Sequence, residues 1–380
     1  MIIREYSWVK CKYKCCHESN EFTQTKFKAI NYRMNRIKFG FCVPLFANPG
    51  MIFFRTPAYK KLDWDSLRET VLCCEKLGYD SIFVADHLFL GQDGEIWECM
   101  TLMSALAAIT SKVHIIPIHL CNNFRIPSVV AKMLATLSHI SNGRVELFYD
   151  YGWRKAEFDA YGIDFCSTDK DRVQQMEEGL IIIKGMLNEG VFSYKGEYYT
   201  VKDAVCSPRP VKKLPIWMGE ANNSEMVCNI VKHADIFNSM PCSIDGFQKK
   251  LNVIKAECER QRRNFSEMGL SLETQVLIRE KEEEVDRMFE VFNELKKCNN
   301  SYDADILEQL KKTNTSFDGY DLRKNIEEEF MIGTPQKIKQ KLDQFVEMGV
   351  DHFMLWFMDY PDRHGIKLFA ETVMPYYKAN

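Results

Sequence analysis

The chain has 380 residues, a formal net charge of −3 and a hydrophobic content of 46%, which gives no electrostatic reason to expect nucleic acid or an anionic membrane as a partner. No apolar run approaches the ~18–20 residues of a membrane span. Fourteen cysteines, scattered through helical and strand patterns, point to the reduced thiols of a cytoplasmic protein rather than to a secreted disulfide framework.

Residues 1–33 show neither a helical nor a strand period and no apolar core of a signal peptide, so a disordered extension ahead of a domain starting at Met34 is expected. The Cys11, Cys15, Cys16 and His17 group matches no common zinc spacing. From Ile37 the chain alternates. An apolar strand over Ile37–Val43 leads to a helix over Leu62–Leu77, opened by Asp63 and Asp65 and stopped by Gly78. Ser81–Ala85 is a second strand, ending in Asp86-His87, and Glu98–Thr110 is an alanine-rich helix. Val113–His119, a helix over Ser128–Ile140 that begins after Pro127, and Val145–Tyr149 form a βαβ unit. A long helix over Asp169–Asn188 follows, and then a hairpin turning at Lys195-Gly196. Strands at Pro215–Met218, Asp235–Asn238, Ser271–Ile278 and His352–Phe357 complete the set, with helices opening at Asn223 and Thr334-Pro335 and another ending near Arg263. Residues 280–330 read as a charged insertion. Eight strands alternating with helices predict an α/β fold, a (β/α)8 TIM barrel with insertions after strands four and seven. A doubly wound sheet is the rival architecture, but no Gly-x-Gly-x-x-Gly follows the first strand.

In a barrel the loops after the strands carry the chemistry. His87, at the end of strand two, can exchange a proton near neutral pH; the bland alternative is a packed histidine bonded to Asp86. His119 ends strand three, with Ile118 before it and Cys121 after it, and could equally be a core residue. His114, His139 and His233 read as structural. Glu98 either faces the mouth or begins its helix. A cofactor phosphate needs backbone N–H groups at a helix N-terminus, and Gly219, Glu220, Ala221 and Asn222, leading into the helix at Asn223, offer one. Trp153, Phe148, Tyr149 and Tyr151 could stack on a flat ring or fill the barrel, and filling is the stronger reading for Phe148 and Tyr149. No Gly-x-Ser-x-Gly nucleophile elbow occurs and no metal set has ligand spacing.

The run Arg125-x-Pro127, Ala131, Ala135-Thr136-Leu137, Ser141-Asn142-Gly143-Arg144, Gly152-Trp153, Glu157 and Tyr161-Gly162 resembles the luciferase-like monooxygenase family, most closely the branch that uses the deazaflavin coenzyme F-420. The resemblance extends from Ile37 to about Lys378. It implies an oxidoreductase that moves a hydride between F-420 and a small organic substrate, with Asp86 and His87 beside the reactive ring carbon and His87 as the proton partner. Ile118, His119 and Cys121 would run along the ring, and Asp150, Gly152, Trp153, Gly219, Glu220, Ala221 and Asn222 would complete the cofactor site. A homodimer is expected. The family usually has glycines where this chain has Phe148, Asp150 and Glu220; a carboxylate there would repel a phosphate. An FMN-dependent monooxygenase is the first alternative function. A degenerate barrel serving as a binding or partner subunit is the second.

Overall fold

The eight strands of the alternation close into a ring in the computed structural model, which describes residues 37–219, 223–297 and 322–378. The 1–33 extension, Glu220, Ala221 and Asn222, and the middle of the 280–330 insertion lie outside the described residues. Strand β1 (Lys38–Cys42) pairs in parallel with β2 (Ser81–Ala85), and β2 with β3 (His114–Ile118). The ring continues through β4 (Leu147–Asp150), β5 (Ile216–Gly219) and β6 (Ile236–Ser239). From there β7 (Gly269–Ile278) pairs with β8 (His352–Phe357), which returns to β1. A parallel bridge between Ile115 and Val145 closes the seam between β3 and β4. There the Ile115 N–H donates to Arg144 O at 2.9 Å and the Glu146 N–H to Ile115 O at 3.1 Å. This closure makes the fold a (β/α)8 barrel rather than an open doubly wound sheet.

The helices begin and end on the residues that signal them in the sequence. Asp63 caps α1 (Trp64–Leu77) by accepting from Ser66 N–H, and Gly78 ends it in the left-handed region at φ 87°. Glu98 caps α2 (Cys99–Ile109), and Pro127 opens α3 (Pro127–Ile140), where a missing N–H costs nothing. After β4 come α4 (Lys155–Tyr161) and the long α5 (Asp169–Glu189), then the hairpin of Val191–Lys195 with Thr200–Val205. Asn223 caps α6 (Ser224–His233). The insertion after β7 contributes the helices Glu282–Lys297 and Leu322–Glu329 and a short strand, Met331–Gly333, that pairs with the end of β7. Among the described residues no helix is long and apolar enough to cross a membrane.

The barrel interior is filled. Phe83 of β2, Trp217 of β5 and His352 of β8 pack ring against ring, with centroids 5.0–5.7 Å apart. Phe148 of β4 continues the column above Trp217 at 6.1 Å, and His119 lies on Phe148 at 4.1 Å. Aromatic pairs at these separations add to the burial that already drives the core together. Phe148 and Tyr149 are fully buried, so both are packing residues, as the sequence favoured.

Candidate active site

Above that column, the C-terminal strand ends and the loops after them enclose a cavity. It gathers Asp86, His87, Ile118, His119, Cys121, Asp150, Gly152 and Trp153 on its walls. Gly219 does not line it. It is buried behind Phe148, whose Cζ a Cβ on Gly219 would meet at 3.0 Å. Glu220, Ala221 and Asn222 lie outside the described residues.

His87 is not held by Asp86. Its Nδ1 lies 2.9 Å from Oε2 of Glu157, in the first turn of α4, and Oε1 of that carboxylate accepts the N–H groups of Leu88 at 2.7 Å and Phe89 at 3.2 Å. Glu157 is buried, while the His87 side chain keeps 19% of its surface exposed. An ionised carboxylate only accepts, so this contact takes the tautomer with the proton on Nδ1 and leaves Nε2 as the nitrogen that Glu157 does not engage. Trp153 stands edge-on to the imidazole, with ring centroids 5.9 Å apart at 77°.

Asp86 has other work. It takes both terminal nitrogens of Arg125 at 2.8 Å each and accepts the Cys121 N–H at 2.9 Å. That geometry ties the end of β2 to the loop after β3 through a two-pronged, charge-assisted pair. Arg125 also reaches Glu98, which accepts from Met100 N–H at 3.1 Å and Thr101 N–H at 2.7 Å at the start of α2. Burial opposes the Glu98 charge, but the bonds from Thr101 and Arg125 outweigh it and bring its pKa down to about 2. Glu98 is therefore a helix-start residue and is absent from the cavity wall.

On the neighbouring strand end, where Ile118 O accepts the Asp86 N–H at 3.1 Å, the Ile118–His119 peptide is cis. His119 Nδ1 lies 3.0 Å from Oδ2 of Asp150, and Oδ1 accepts the Tyr151 N–H at 2.6 Å. Asp150 stands at the strand end as expected, with its carboxylate already met by two donors. Burial, and then the charge of Asp86, push the Cys121 thiol well above its ordinary value, so it sits there as a neutral group. Gly152 has φ 75°, and a Cβ there would fall 2.6 Å from Cys121 Sγ and 2.9 Å from Phe158 Cζ. The three histidines read as structural each have a partner away from the cavity. His114 meets Glu146 at 2.6 Å, His139 meets Arg209 O at 2.8 Å, and His233 meets Glu177 at 2.9 Å.

Several cavity residues escaped the sequence reading. Phe46, Phe54 and Arg55 come from the loop after β1, Trp356 from the interior of β8, and Arg154 and Glu157 from α4 and its start. Only Glu157 stood in a recognised run, and nothing local tied it to His87.

A flat conjugated ring suits this cavity. Ala85, Ile118 and the side-chain-free Gly152 offer apolar surface, Trp153 and Phe46 contribute aromatic rings, and His87 contributes an imidazole whose Nδ1 is held by Glu157. Phe148 does not obstruct it, because its ring points down into the column on Trp217. A model of the luciferase-like monooxygenase family matches residues 50–352. The chain belongs to that family. It is 22% identical over 354 residues to the FMNH(2)-dependent dimethylsulfone monooxygenase of Pseudomonas fluorescens, covering 89% of this chain and 94% of that one. It is 34% identical over 148 residues to the F420-dependent glucose-6-phosphate dehydrogenase of Microbacterium testaceum, covering 38% of this chain and 44% of that one. The solved structure of an F420-dependent secondary alcohol dehydrogenase with an F420-acetone adduct superposes with a TM-score of 0.70 at 17% identity, over 90% of this chain and 99% of that one. This luciferase-like protein is thus an enzyme of the oxidoreductase class.

Proposed function

We propose that this enzyme transfers a hydride between the deazaflavin coenzyme F-420 and a small carbonyl, alcohol or unsaturated substrate, with His87 exchanging the accompanying proton. The observation that carries this reading is the fixing of His87 Nδ1 by Glu157 at 2.9 Å, which leaves Nε2 as the proton-exchanging atom in an apolar cavity. When bound, the coenzyme supplies a ring carbon that takes or gives the hydride. The protein's part is positioning and electrostatics. In the oxidising direction the substrate's C–H bond gives up a hydride, its O–H proton passes to His87 Nε2, and a C=O bond forms. Glu157 keeps the imidazole in one tautomer and orientation. Trp153 packs edge-on beside it. Asp86, Ile118, His119, Cys121 and Gly152 would line the ring, and the start of α6 after Gly219 would face the phosphate. We take the working form to be a homodimer.

An FMN-dependent monooxygenase is the second reading. The nearly full-length likeness to the FMNH(2)-dependent dimethylsulfone monooxygenase supports it. Titration of the purified protein with F-420 and with FMN, each oxidised and reduced, separates the two through absorbance shifts and fluorescence quenching. Binding of F-420 at least tenfold tighter than FMN is expected; the reverse order would replace the first reading with the second.

A further inference from the structure

We propose that Arg55 is the substrate-binding residue that receives a carboxylate, so that the substrate is a short hydroxy or oxo acid; this rests on the hydride-transfer reading above. Arg55 belongs to the loop after β1, yet it is fastened from below by side chains of the barrel interior. Its own N–H donates to Gln275 Oε1 at 2.7 Å, and Gln275 Nε2 donates to Ile52 O at 2.7 Å. These bonds hold a non-glycine residue at φ 71°, a conformation that the surrounding structure must over-determine. Its guanidinium Nη2 lies 2.8 Å from Oε1 of Glu273, a fully buried carboxylate on β7 that also accepts the Trp356 Nε1–H at 2.7 Å. The guanidinium carbon sits over Trp356 at 5.3 Å and over Phe54 at 5.6 Å.

Gln275 and Glu273 are thus positioning residues for a cation whose side chain retains 15% exposure on the cavity wall. A guanidinium carries several N–H donors in a fixed fork, and a pair made through one nitrogen leaves others for a planar oxyanion. A buried ion pair is a poor way to gain stability, since desolvation of both charges offsets their attraction. A loop arginine clamped at its backbone, flanked by rings and turned to the cavity that holds His87 is what carboxylate recognition requires. Phe46, Phe54 and Trp356 crowd the same wall, which favours a short carbon skeleton.

The test uses the enzyme loaded with the oxidised coenzyme selected by the titration above, so that an oxo acid binds without turnover. Calorimetry compares pyruvate with pyruvamide, its uncharged analogue. Pyruvate is expected to bind at least tenfold more tightly, and Arg55→Gln is expected to bring the two within threefold while coenzyme affinity holds. Because Arg55→Gln strands the Glu273 charge, the Arg55→Gln/Glu273→Gln double variant repeats the measurement with both charges removed. Equal binding of the two probes, no binding of pyruvate, or a preference that survives both variants overturns the proposal. Loss of coenzyme affinity in the variants overturns it too, since the anion at Arg55 would then be the coenzyme's own. Failure of the coenzyme to bind the wild-type protein at all sinks the hydride-transfer reading instead, and this proposal with it.

Discussion

Glu157 and His87 are separated by 70 residues of chain and by 2.9 Å in space. The carboxylate grips the histidine with one oxygen and the backbone of the next two residues, Leu88 and Phe89, with the other. It therefore orients the ring relative to the loop that carries it. If Glu157 acts through His87, removing both should cost little more than removing His87 alone. His87→Ala is expected to lower turnover by about a hundredfold or more, and Glu157→Gln by about tenfold. The double variant should fall within about threefold of His87→Ala. Steady-state kinetics on the four proteins decides it, and multiplicative losses would show that Glu157 acts independently.

Asp86 and Arg125 predict a stability effect rather than a catalytic one. The Asp86 carboxylate is almost fully buried and bonded to both guanidinium terminal nitrogens and to the Cys121 N–H. Asp86→Asn leaves Glu98 as the only carboxylate on Arg125 and sets an amide NH2 against a guanidinium nitrogen, and should cost about 3 kcal/mol, the order found when one partner of a buried pair is removed. Asp86→Leu/Arg125→Met should cost less than Asp86→Asn. Denaturant midpoints give the comparison; a change below about 1 kcal/mol in Asp86→Asn would mean that the pair is solvated like a surface one.

The barrel was legible because its strands are short apolar runs between strong helix signals. Ser81–Ala85 and His352–Phe357 coincide with β2 and β8. Among the elements that were missed, α4 of seven residues and the Met331–Gly333 strand of three are too short to show a period. Asp86-His87 was legible as a site because a strand end in a barrel is a position with meaning. Its true partnerships were not, since Glu157 reaches it from α4 and Arg125 from the loop after β3, both distant in sequence. Phe148 was legible too: at a position where the family usually has glycine, it reads as a barrel-filling ring, and the space it fills lies below the cavity, between Trp217 and His119. Arg55 carried no signal at all, because what distinguishes it is Gln275 and Glu273, some 220 residues away.

Gly152 marks where the cavity wall has no room for a side chain. Alanine at this position would adopt φ 75° with its Cβ 2.6 Å from Cys121 Sγ. Left-handed strain alone costs roughly 1–2 kcal/mol, and the collision must push Cys121 or the chain aside. Gly152→Ala should therefore weaken coenzyme binding and lower the melting temperature. Adding Cys121→Ala should recover part of the melting temperature by removing the sulfur. No recovery would place the cost in the backbone or against Phe158 instead.

His352 gives a pH dependence of stability with a definite sign. It lies inside the barrel, its Nε2 2.8 Å from Ser81 Oγ and its ring against Trp217 and Phe83. Burial, and then the charges of Lys38, His114 and Lys378, hold its pKa well below the ordinary value of 6.5. The unfolded chain therefore binds a proton at this residue in a range where the folded chain does not. Stability from this group is complete above pH 6.5 and falls as the pH drops toward the folded value. The slope approaches about 1.4 kcal/mol per pH unit for one proton. Other groups titrate in the same range, so the informative quantity is the difference between wild type and His352→Gln, a neutral side chain that can still bond Ser81. Between pH 7 and pH 5 the wild-type denaturation midpoint should fall faster than that of the variant. Parallel curves would mean that His352 takes up its proton in the folded protein as readily as in the unfolded one, and that the base of the barrel is wetter than its packing implies.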